Sequence, residues 1–321
     1  MKKTGLLLLL TVTATFAVAQ QSTTASTPDA DGIVHTSVNV PFVRFQTPTA
    51  ADLYCAGFLT KDRVPDANYV NGGLQSPTST KFETGELVYL AGTSYQAGQL
   101  YSIVRELKDV NEYEIYPGQR KLLRDTGHPY GEIGRVRVID TRFKHSAIAQ
   151  VVYSCDPINP GDVAVPFVER PLVPFHVPGH FDRFAPSSAK LTGRVVLGKD
   201  FDDIVGTGMK VYVNVGSNQG VKVGDYFRVS RSYTATLNDP VDSLSFEAQT
   251  SEDTQMRPPI YEGNRFTKTK GPNIHVADLP RRAVGEVVVL STTPTTASAM
   301  VVFALEDVYA GDTVELDEQA Q

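Results

Sequence analysis

The chain has 321 residues, 41% of them hydrophobic and 21% charged, with a formal net charge of −6. That length accommodates two domains. The acidic balance, with a pI near 5.6, excludes a phosphate-binding surface as the main function, because nucleic-acid binders present a basic stripe.

Residues 1–19 combine a basic start (Lys2, Lys3), an apolar stretch from Leu6 to Phe16 and an Ala17-Val18-Ala19 cleavage pattern, which predicts a secretory signal peptide. Export places Cys55 and Cys155 where disulfides persist. They are expected to bond, closing a loop for which chain entropy gives about 4–5 kcal/mol; two separate buried thiols are the alternative.

Residues 20–50 read as a disordered or extended lead-in, with Pro41 and Pro48 confining any strand there to an edge. A first β module spans 51–167. Its opening run, Leu53 to Leu59, is apolar on both faces and predicts a buried strand. The glycine-separated runs Gly85–Gly92, Tyr95–Arg105, Gly134–Ile139 and Ala147–Tyr153 follow, with a polar connector over 106–133. Residues 168–187 carry prolines at 171, 174, 178 and 186, so they form an extended linker rather than a sheet interior. A second β module spans 188–316, with a long insertion at 232–284 and a tail at 317–321. Its clearest unit is Val211–Arg231, two strand-like runs around Gly216, Gly220 and Gly224.

The modules repeat. Gly57, Gly98, Arg105, Gly134, Ala147 and Gly161-Asp162 align in order with Gly193, Gly224, Arg231, Gly285, Ala297 and Gly311-Asp312. Gly98 to Arg105 and Gly224 to Arg231 both span 7 residues, and Ala147 to Gly161 and Ala297 to Gly311 both span 14. The mismatch, 29 against 54 residues from the arginine to the next glycine, falls in the connector, where insertion costs least. The fold expected is all-β: two tandem SH3-like small β-barrels joined by a proline-rich linker. Gly98, Gly224, Gly161 and Gly311 are assigned to turns, with Asp162 and Asp312 completing the closing turns.

Val211 to Val229, with Gly285-Glu-Val-Val-Val and the closing Ala310-Gly-Asp312, resembles the SH3-like carboxy-terminal domain of the bacterial flagellar assembly T protein. It is also similar to the β modules that accompany LysM domains in envelope proteins. The resemblance implies a cell-envelope role.

Chemistry is sparse. His176 and His180 have a zinc-like spacing but no third ligand nearby, and Asp200, Asp202 and Asp203 lack an EF-hand's glycine and terminal glutamate. His128 and His145 with Asp125 and Asp140 read as surface groups, and neither a nucleophile elbow nor a phosphate loop is present. Tyr113, Tyr116 and Tyr130 are the candidate ligand-binding residues, through stacking on sugar rings, with ordinary packing covers as the favoured alternative. The expectation is a non-enzymatic, cofactor-free exported protein that binds another envelope protein or peptidoglycan through its connectors. A flagellar-ring-like scaffold and a secreted hydrolase are the alternatives.

Overall fold

Two barrels with one wiring diagram make up most of the chain. The computed structural model describes residues 45–109, 116, 118–175, 181–188, 190–232 and 280–317, all within one compact unit, Val43–Gln321. Residues 1–19, most of the lead-in and most of the 232–284 insertion lie outside the described residues.

The described chain starts with a short helix, α1 (Ala50–Tyr54), capped by Thr49, and a short strand, β1 (Phe58–Thr60). Then come β2 (Tyr69–Gly73), β3 (Leu87–Ala91), β4 (Leu100–Glu106) and helix α2 (Gln119–Thr126). The long hairpin β5 (His128–Phe143) and β6 (Ser146–Ser154) and the strand β7 (Val163–Pro166) complete the first set. The second set is β8 (Thr192–Gly198), β9 (Ile204–Val205), β10 (Lys210–Val213), β11 (Tyr226–Arg231), β12 (Arg282–Thr292), β13 (Ala297–Ala304), β14 (Val308–Tyr309) and β15 (Thr313–Leu316).

Strands β5, β4, β7, β2, β3 and β6 close barrel one, with β1 added outside β5; β10, β13, β12, β11, β15 and β8 close barrel two. Each pairing has a counterpart: β2–β3 matches β8–β10, β3–β6 matches β10–β13, and β4–β5 matches β11–β12. The bulges coincide as well, after Ile103 on β4 and after Val229 on β11. Closure removes the sheet edges that would otherwise invite aggregation. Val70, Val88, Ile103, Val136 and Val151 fill the first interior, and Val195, Val211, Val229, Val287 and Val301 fill the second.

Hydrogen bonds correct one alignment. Val70 and Val195 both donate their N–H to the carbonyl of the closing aspartate, at 2.8 and 2.9 Å, and both accept from the glycine before it. Val195 therefore corresponds to Val70, and Gly193 to Asn68 rather than Gly57. Residues 51–59 are a second correction: they form a helical turn and a three-residue strand outside the barrel, not its first strand. An apolar run this short does not distinguish the two conformations. The connector 106–133 also holds more structure than expected, since α2 occupies 119–126 and β5 begins at His128.

Candidate functional site

The segment from α1 to β1 is an arm that leaves barrel one and lies on the outer face of barrel two. Leu53 and Ala56 pack there with Val288, Leu290, Met300 and Val302, while Leu59 packs with Tyr212, Val196 and Leu197. The arm's backbone is held by hydroxyls. Tyr212 Oη donates to the Ala56 carbonyl (2.9 Å), Ser298 Oγ to Gly57 (2.7 Å) and Thr296 Oγ1 to Leu59 (2.6 Å). Each satisfies a buried carbonyl of the arm, in β1 or just before it. Burial pushes the Tyr212 phenol far above its ordinary range, so it stays a donor. Lys210 and Asp52 close the end of the contact at 2.5 Å. Burial of Asp52 opposes its ionisation, but bonds from Lys210 and Thr49 outweigh that and hold its carboxyl below the ordinary value.

Gly57 is at the centre. Its φ is +70°, and a Cβ there would collide with the Tyr212 hydroxyl and the Tyr130 carbonyl. Only glycine provides both the left-handed backbone and the close approach.

Three further pieces fix the arm. Cys55 is bonded to Cys155 at the end of β6, across 100 residues of sequence. Arg170, from the proline-rich segment, donates to the Leu53 carbonyl and pairs with buried Glu132, which also accepts from Gly57 N–H. Arg135 lies 4.3 Å from the Tyr54 ring centroid and 3.7 Å from that of Phe167, a cation between two aromatic faces. The described part of the linker is thus anchored: Val173 is buried, and Tyr226 Oη donates to the Pro174 carbonyl at 3.2 Å.

The arginine and aspartate marks of the repeat are partners. Arg105 grips Asp162 with Nε and Nη2, both at 2.7 Å, and donates to the Pro157 carbonyl. Arg231 grips Asp312 at 2.8 Å in the same fork and donates to the Asp307 carbonyl. Both aspartates also accept a backbone N–H from their own turn, Asn159 and Tyr309 respectively. The glycines Gly98, Gly161, Gly224 and Gly311 all have positive φ. These residues close the barrels.

The residues singled out for chemistry are dispersed. Tyr116 is buried, with Oη donating to the Val196 carbonyl of barrel two, and Tyr130 is buried with its ring stacked on Phe58. Both rings serve as packing covers within the molecule. Tyr113, His176 and His180 lie outside the described residues. His128 pairs with Glu106, Asp125 with Lys121 and Asp140 with Arg142, while His145 is exposed near the β5–β6 hairpin tip. Burial, reinforced by Asp109 and Asp202, pushes the Asp203 carboxyl up, but no group of three or more His, Cys, Asp or Glu among the described residues is arranged to hold a metal. No described helix is long and apolar enough to cross a membrane.

Sequence reading missed the arm's seat: Tyr212, Thr296, Ser298 and Gly57. The signal was available in β12 and β13, whose unbroken apolar runs (Val287 to Leu290, Met300 to Phe303) mark strands covered on both faces. Comparison with known proteins finds no family that matches the chain and no curated sequence that matches it.

Proposed function

We propose that this is an exported, non-enzymatic scaffold protein of the cell envelope, whose barrels bind extended protein segments on their outer faces. The observation that carries this reading is the arm's seat. Barrel two holds a polypeptide by bonding its carbonyls with three hydroxyls and packing its apolar side chains, a mode that needs no catalytic group. A protein partner is favoured over peptidoglycan because Tyr116 and Tyr130 serve internal contacts instead of presenting a stacking platform. The disulfide and the predicted signal peptide support location outside the cytoplasm.

The connectors divide in this reading. The first works inside the molecule, since Leu122 and Leu123 of α2 pack on Leu59, Leu197 and Tyr212. Recognition through connectors then falls to the 232–284 insertion. The test is chemical cross-linking in the native envelope, run beside a pull-down with purified peptidoglycan. Specific protein adducts without sacculus binding are expected; binding to bare sacculi with no protein adduct overturns the proposal in favour of a wall reader.

A further inference from the structure

Residues 181–188 cross the outer face of barrel two as a strap, with Phe181, Arg183 and Ala185 half-buried and Asp182, Phe184 and Pro186 exposed. The Arg183 carbonyl accepts from Ala283 N–H at 2.7 Å and the Ala185 carbonyl from Arg281, while Ser187 Oγ and Ser188 N–H donate to Glu315. Beneath the strap, strand register sets Phe303, Glu286, Arg228 and Glu315 in one row across β13, β12, β11 and β15. The Phe181 ring lies 4.8 Å from that of Phe303 and 5.7 Å from the Arg228 guanidinium. Those two residues flank Glu286, so Phe181 closes over it.

Glu286 is the weak point of the row. It is 1% exposed, and one of its carboxylate oxygens has no hydrogen-bond partner. The charges around it are engaged elsewhere: Arg228 with Asp317, Arg183 with Glu306 and Arg281 with Glu315. Phe303 from β13 and Phe181 from the strap offer a carboxylate no hydrogen bond. Burial, then repulsion from Asp317, raise its carboxyl from 4.5 to about 8 against the pull of Arg228. In barrel one the same strand position holds Arg135, whose aromatic cover, Tyr54 and Phe167, attracts the charge it carries. The cover in barrel two accepts only the uncharged form of its residue.

We infer that Glu286 and the strap form a pH-sensitive latch: when the carboxyl ionises, Phe181 and its neighbours lift, water reaches the carboxylate, and the outer face of β11, β12 and β13 is uncovered while the barrel stays closed. With the strap lifted, the carboxyl returns to its ordinary value. The closed form is therefore favoured in full below pH 4.5, and the open-to-closed ratio rises about tenfold per pH unit until about 8, where it levels. The latch is a property of the molecule alone and does not depend on which partner the envelope supplies.

Amide hydrogen exchange of the full chain, prepared with its disulfide formed, tests the inference at two positions. Ala283 N–H is bonded to the strap, whereas Val195 N–H is bonded to the Asp312 carbonyl within the barrel. Ala283 is expected to exchange faster than Val195, because lifting the strap takes less than unfolding the barrel. Dividing the wild-type rate at Ala283 by that of Glu286→Gln at the same pH cancels the chemical pH dependence of exchange. That ratio is expected to climb about tenfold per pH unit between 4.5 and 8. Phe181→Ala admits water to Glu286 at any pH, so it should raise the ratio at low pH and flatten its climb. A flat wild-type ratio means that Arg228 neutralises the carboxylate in place, and overturns the inference. Exchange at Ala283 that never outruns Val195 overturns it too, since the strap would then leave only when the barrel unfolds.

Discussion

A guanidinium that meets a carboxylate through two parallel N–H···O bonds gains geometric definition as well as energy. In each barrel that fork joins the end of one strand to the turn before the last strand, so it locks closure at one point. The second pair is the drier one: Arg231 and Asp312 have side chains 9% and 5% exposed, while Arg105 is 31% exposed over Asp162 at 4%. Removing one partner of a buried pair strands the other charge and costs roughly 3–5 kcal/mol. Arg231→Leu is therefore expected to lower the unfolding free energy by about that amount, and Arg105→Leu by clearly less, since water reaches Arg105 and screens the loss. Urea denaturation of both variants checks the order. Glu286 makes a different claim. It takes the strand position of Arg135, but it is 1% exposed with one carboxylate oxygen lacking a hydrogen-bond partner. Burial, with some repulsion from Asp317 and an opposing pull from Arg228, raises its carboxyl from 4.5 to about 8. Between those values the unfolded chain is ionised at this position and the folded chain is not. Unfolding then releases a proton, and stability falls as pH rises, with a limiting slope of about 1.4 kcal/mol per pH unit. Glu286→Gln should remove that component, so that melts between pH 5 and 8 become flatter than wild type, within the window set by the raised carboxyl. An unchanged pH slope would refute this.

Among the elements, the arm shows what was legible in the amino-acid sequence and what was not. The barrels were: alternation in β5 (Val136 and Val138 inward, Arg137 and Ile139 outward) and glycines at the tight turns specify closed sheets with little ambiguity. The repeat was legible down to Gly98 with Gly224 and Arg105 with Arg231, because closure demands the same residue types at the same places. The arm was not, for two reasons. Five residues of helix and three of strand are too short for periodicity to separate them. Its partners lie more than 150 residues away in sequence, as Tyr212 does from Ala56, and no local pattern records such a distance. The α2 helix was hidden likewise inside a connector read as polar. Tyr212 provides the test of the arm's worth. Tyr212→Phe keeps the ring and leaves the Ala56 carbonyl buried without that donor, a loss of about 1–3 kcal/mol. Gly57→Ala should cost more, because a Cβ forces the backbone out of a left-handed conformation and off the hydroxyl at once. If thermal melts rank Tyr212→Phe as the more severe change, the seat is not held as described.

For the whole molecule, the question is whether two closed barrels behave as two domains or one. Each has its own interior, which favours independence. Against that, two apolar clusters mix residues from both halves: Leu53 and Ala56 with the outer face of β12 and β13, and Leu59, Leu122 and Leu123 with Val196 and Tyr212. Separating the barrels would expose both clusters and break the three hydroxyl–carbonyl bonds that hold the arm, as well as the bond from Tyr116 to Val196, so the junction couples them. The Cys55–Cys155 bond reinforces the coupling from one side, because it ties the arm to barrel one while the arm's apolar face belongs to barrel two. Chain entropy assigns a loop of this length about 4–5 kcal/mol, and the loop encloses nearly all of barrel one. The oxidised wild type is expected to unfold in a single calorimetric transition despite its two cores. With Cys55 and Cys155 both changed to Ser, the transition should move down. With Gly57→Ala, it should split in two, because the arm no longer carries stability from one barrel to the other. Two transitions already present in the oxidised wild type would mean that the junction is a contact of convenience between independent domains.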